Sequence, residues 1–130
     1  MNPKQRQVKV KSLKNQAVIA DKCHVADSFF DRLIGLIGRR SFGAGEGMLF
    51  PRCNDIHMWF MSIPIDVVFL EPAREGASGE RVFRVSSLRR AIRPWKPLPV
   101  RDGRASETLE LPSGTVERCG IAMGDELCIS

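Results

Sequence analysis

The chain reads as an α+β domain: a mostly antiparallel β sheet curled into a partial barrel, with one main packed helix and one short C-terminal helix. Three observations predict this. Short apolar runs alternate with glycine and proline turns along most of the sequence. A single segment, Phe29–Ile37, carries helical periodicity. At 130 residues with 43% hydrophobic side chains, the length suits one domain able to bury a core without metal or disulfides.

Residues 1–15 are polar and basic and are set apart as a partly disordered segment, leaving 16–130 as the globular unit. Ala17–Ala20 suits a first strand. Ser28 with Asp31 three residues on forms a capping-box pattern. Phe29, Leu33, Leu36 and Ile37 then recur at helical spacing, and Gly38 with Arg39 and Arg40 suits the helix end. Met48–Phe50 predicts a strand after a glycine-rich turn. The apolar run that follows predicts two buried strands, Ile56–Met61 and Ile65–Leu70, joined at Ser62-Ile63-Pro64; Pro64 argues against a single helix there. Residues 71–80 predict a hairpin loop, and Arg81–Leu88 a strand pairing back on the second of these. Glu107–Leu111 alternates as a strand, Pro112–Cys119 suits a short helix stopped by Gly120, and Glu126–Ile129 is the last strand.

Charge is unevenly spread. Residues 1–22 carry +5 and residues 81–104 carry +7, so the remainder is acidic at −7 within a net +5. Such basic segments hint at anionic partners. The start of the chain has no apolar core of a secretory signal, and no run is long enough to span a bilayer, which predicts a cytoplasmic protein. Cys23, Cys53, Cys119 and Cys128 lack Cys-x-x-Cys spacing, so reduced thiols, no structural metal and no cofactor are expected.

Four blocks resemble the uncharacterised family known as domain of unknown function 192. They are Arg32-Leu33-Ile34-Gly35-Leu36 with Arg39; Gly45-Glu46-Gly47-Met48-Leu49-Phe50; Ile56-His57 through Met61-Ser62-Ile63-Pro64-Ile65-Asp66-Val67-Val68-Phe69; and Leu109-Glu110-Leu111-Pro112-Ser113-Gly114 with Gly120 and Gly124-Asp125. Cys53 before His57, and Pro94-Trp95, resemble one subgroup. The resemblance spans about residues 16–130 and implies a compact, mostly β fold with a packed helix. It implies no activity.

Chemistry, if present, is expected where His57 and Asp66 enter the apolar run. An ionised carboxylate among Ile65, Val67, Val68 and Phe69 must be paired or face a cavity. Arg32, in the middle of the predicted helix, is the expected partner, although a structural ion pair or backbone cap is the favoured reading. His57 shares strand parity with Trp59 and Met61 and suits a core histidine, a base or a ligand. Cys53 beside it is a weak nucleophile candidate. Met58 and Met61 suit gap-filling in a core. The basic stretch Arg81–Arg104, with Arg89, Arg90, Arg93 and Lys96 around Trp95, could hold an anion or single-stranded nucleic acid, but one aromatic is too few for a stacking platform.

The sequence lacks a phosphate loop, a triad or a nucleophile elbow. A binding module for a small molecule or protein is therefore favoured, with Arg32, His57, Met61, Asp66 and Trp95 lining its pocket. An acid–base hydrolase using Asp66 and His57 ranks second. An anionic-polymer binder using Arg81–Arg104 ranks third.

Overall fold

A computed structural model describes residues 6–26, 42–56, 63–93 and 100–130. Among them lie ten strands: β1 (Gln7–Ser12), β2 (Val18–Val25), β3 (Glu46–Pro51), β4 (Asp55–Ile56), β5 (Ile65–Leu70), β6 (Arg74–Glu75), β7 (Arg81–Ile92), β8 (Val100–Arg101), β9 (Glu107–Pro112) and β10 (Glu126–Ile129). One helix accompanies them among the described residues, α1 (Thr115–Cys119).

Seven strands close on themselves in the order β10-β1-β2-β3-β9-β5-β7, with β7 pairing back to β10. The barrel is thus closed and not partial. The closing piece is β1, which lies in the segment assigned to a basic tail. Val10 sits opposite Ile129 of β10 and Ala20 of β2, so β1 bridges two strands that would otherwise be open edges. Val8, Val10 and Ser12 alternate with lysines, a period-two pattern that the lysine count conceals.

Every pairing in the barrel is antiparallel except β2 with β3. A parallel pair needs a long crossover. Here the chain from 26 to 45 supplies it, and the main helix expected over Phe29–Ile37 falls on residues 27–41, outside the described residues. Among the described residues no main helix packs on the barrel.

The interior is filled by alternate residues of each strand, including Val10, Ile19, Leu49, Val68, Leu70, Phe83, Val85, Leu109, Leu111 and Leu127, all at most 2% exposed. One end is plugged by α1, whose Val116 packs with Ile121 and Leu127 in the same core. Gly114 and Gly120 flank this single turn at φ 93° and 67°, the left-handed conformation that glycine adopts without strain. Lys14 closes the helix end by donating from Nζ to the Gly120 carbonyl at 2.7 Å.

β5 is buried on both faces, which explains its nearly unbroken apolar sequence. Val68 and Leu70 face the interior. Ile65, Val67 and Phe69 face outward under Ile56, Ile92, Val100 and Ala105. β4 pairs with β8, Ile56 opposite Val100, and not with β5. A small second sheet thus covers β5 at Ile56, while the remainder of the strand expected over Ile56–Met61 falls on residues 57–61, outside the described residues. The hairpin of β5 with β7 forms as its connection predicts, although β7 runs four residues past Leu88 to Ile92.

Candidate functional site

Asp66 is 1% exposed and points to the plugged end of the barrel. Its Oδ2 accepts from the backbone N–H groups of Gly114 (3.1 Å) and Val116 (2.9 Å), and its Oδ1 from that of Ala91 (2.8 Å). Gly114 has no side chain with which to cap α1, so a carboxylate from a distant strand does so. The Ala91 contact has its own local cause. Ile65 pairs with Ile92 but Val67 pairs with Arg89, so β7 holds one extra residue opposite Asp66. That bulge puts Ala91 at φ 48°, and Asp66 satisfies the amide it frees.

A second bulge lies further back on β7, where Phe69 pairs with Ser87 and Leu70 with Val85. Ser86 and Ser87 both donate to Asp102 Oδ2 at 2.5 Å. The Arg104 amide donates to the other oxygen at 3.0 Å. Burial pushes the Asp102 carboxyl up, but the two hydroxyls, the Arg104 amide and its guanidinium outweigh that and hold it well below the usual carboxylate range. Asp102 thereby ties the loop after β8 to the outer face of β7.

Arg32, His57, Met61, Trp95 and Lys96 lie outside the described residues. Cys53 is half-buried, with its thiol against the Asp55 carbonyl at 2.9 Å and its own carbonyl accepting from Thr108 Oγ1 at 2.7 Å. Arg89 lies over the Phe69 ring at 5.6 Å and donates to the Leu88 carbonyl, so its charge is partly engaged; Arg90 and Arg93 are exposed. All four thiols are free, and burial pushes Cys23 up to about 12. Among the described residues no group of three or more His, Cys, Asp and Glu could hold a metal ion, and no helix is long and apolar enough to cross a membrane.

The end of the barrel opposite α1 is different. Concavities of about 710, 520 and 270 Å³ adjoin it. Arg81 borders the first two and Glu107 the last two. These side chains meet, with Arg81 Nη2 at 3.0 Å from Glu107 Oε2, and the guanidinium also lies 4.8 Å from the centre of the Phe83 ring. Glu107 is 5% exposed, and its Oε1 is buried with no hydrogen-bond partner among the described residues. Burial pushes its carboxyl above the usual range, against the opposing charges of Arg81, Arg52 and Arg6.

Sequence reasoning passed over Glu107, but a signal was there. Leu109 and Leu111 alternate toward the core, and one step back along the same parity is an acid. Arg81 likewise shares parity with Phe83 and Val85. An ionic pair on the core face of two barrel strands is the feature the alternation predicts should not be there.

A family model of uncharacterised proteins, DUF192 (Uncharacterized ACR), matches residues 9–129. The chain belongs to this DUF192 family. A UPF0127 protein of Thermococcus sibiricus is 36% identical over 107 residues, which cover 79% of this chain and 62% of that protein. The DUF192 chain thus spans less than two thirds of this relative's length. Two crystal structures share the fold. A protein of unknown function from Novosphingobium aromaticivorans superposes with a TM-score of 0.74 at 24% identity, covering 98% of this chain and 89% of that one. A putative transcription regulator from Sinorhizobium meliloti gives 0.71 at 23%, covering 95% and 92%. At these identities the likeness shows the fold alone.

Proposed function

We propose that this DUF192 domain is a binding module that takes a small anionic ligand at the open end of its barrel. The carrying observation is the contrast between the two ends. Among the described residues, one is sealed by α1, whereas the other borders concave surface edged by three cations, Arg6, Lys11 and Arg81, and one acid, Glu80, over apolar walls from Val8, Val25 and Leu49. Low-dielectric walls strengthen the field of cations at their rim, and barrel mouths of this size suit small molecules. Asp66 supports binding over acid–base hydrolysis, because three backbone donors occupy its two oxygens at the sealed end. Of the pocket first expected near His57, Asp66 and Trp95, only Asp66 lies among the described residues, and the mouth is the site we propose from those residues.

The polymer-binding reading keeps one supporting observation, the exposure of Arg90 and Arg93, beside the description of the Sinorhizobium neighbour as a putative transcription regulator. A calorimetric titration with citrate, and in parallel with a single-stranded oligonucleotide, separates the two. Saturable citrate binding is expected, weakened at least about tenfold by Arg81→Gln and unchanged by Arg90→Gln with Arg93→Gln. Oligonucleotide binding that falls steeply with salt and needs Arg90 and Arg93 favours the polymer. Saturation by neither overturns both readings.

A further inference from the structure

We propose that the Arg81–Glu107 pair is a receptor for the head group of an aliphatic α-amino acid, a ligand presenting a carboxylate and an ammonium side by side. The inference rests on the mouth being the binding surface and names the chemistry it selects.

A purely structural ion pair should have its buried valences filled. This one does not. Glu107 uses Oε2 on Arg81 and leaves Oε1 buried without a donor among the described residues, although removing an acceptor from water without replacing the bond is unfavourable. Its partner is unequally placed, the Arg81 side chain being 48% exposed against 7% for Glu107. The cation thus has a solvent-facing side on which an oxyanion can dock, while the acid has an acceptor awaiting a donor. Burial pushing the Glu107 carboxyl upward, despite three arginines in range, says the same: its charge is under-compensated.

A simple anion pairs with Arg81 but lies beside the like charge of Glu107, so it binds there less tightly than a ligand that also brings an ammonium. A simple cation would do the reverse. Only a ligand with both charges close together matches two protein charges whose nearest atoms are 3.0 Å apart. Both side chains border the concavity of about 520 Å³, together with Pro72 and Ala73; beyond Arg81 lie Val8 and Leu49. Those walls suit an aliphatic side chain. A peptide terminus brings one of the two charges and an amide in place of the other, so the free amino acid is the intended ligand.

The test uses L-leucine, N-acetyl-L-leucine (carboxylate only) and L-leucine amide (ammonium only), titrated calorimetrically into the intact chain. Leucine is expected to bind, and each analogue to bind at least about tenfold more weakly. Glu107→Gln should erase the preference for leucine over N-acetyl-leucine, and Arg81→Gln should weaken both, with circular dichroism confirming the fold of each variant. Equal binding of leucine and N-acetyl-leucine to the natural chain would overturn the zwitterion receptor while leaving the anionic site in place. Binding of leucine amide alone, or of none of the three, overturns the receptor too. Citrate binding then decides separately whether the anionic mouth survives.

Discussion

Asp66 shows how a charged residue can be indispensable without being catalytic. Its three acceptor bonds run to backbone amides on β7 and at the start of α1, so it holds two irregular pieces of chain to one strand. Hydrogen bonds to a buried charged group contribute about 1.5–3 kcal/mol each, and they are not additive. Asp66→Asn places an amide –NH2 against backbone donors and should lower unfolding free energy by about 2–4 kcal/mol in urea titrations at unchanged m value. A variant as stable as the natural chain would mean that these bonds do not form. That Asp66 must be satisfied was legible from its apolar neighbours. A backbone cap was one of the readings this allowed, but which amides it caps was not legible, because those of a bulge and a helix start carry no residue type that a sequence displays. Glu107 was legible in principle, by extending the Leu109–Leu111 alternation one step. Its contact with Arg81 was not, since the two stand 26 residues apart on strands that are not neighbours in the barrel.

At the scale of the element, β7 is the most informative. Two bulges let this twelve-residue strand pair with β5, β6 and β10 while bending around the barrel. No glycine marks either bulge, and the partial alternation of Val82, Val85 and Leu88 carries the expected strand only to Leu88. At the first, Ala91 adopts φ 48°, a conformation that strains a residue with a β-carbon. Its side chain is exposed and leaves no cavity when removed. Ala91→Gly should therefore raise stability by roughly 0.5–1 kcal/mol, the sign opposite to the usual effect of glycine within a strand. Thermal melts of the two proteins under one buffer check it, and a lower midpoint for the variant would count against the strain. The pairing of β5 with β7 was readable from their short connection. The parallel pairing of β2 with β3 was not, because it depends on a crossover whose direction no local pattern records.

For the whole molecule, closure is the property the sequence concealed. The fold class was evident from many short strands, but whether a curled sheet meets its own edge depends on one strand, and β1 was hidden behind its lysines. Closure also encloses Cys23. This thiol is wholly buried in the barrel interior, and its ionisation is pushed up to about 12, so the folded chain offers an electrophile neither access nor thiolate. With Cys53, Cys119 and Cys128 replaced by serine, Cys23 becomes a clock. Its reaction with a disulfide reagent should wait for the strands to part. At high reagent concentration the rate should level off at the opening rate itself, where a thiol reached by small fluctuations would keep accelerating. The barrel carries its own stopwatch for how long it stays shut.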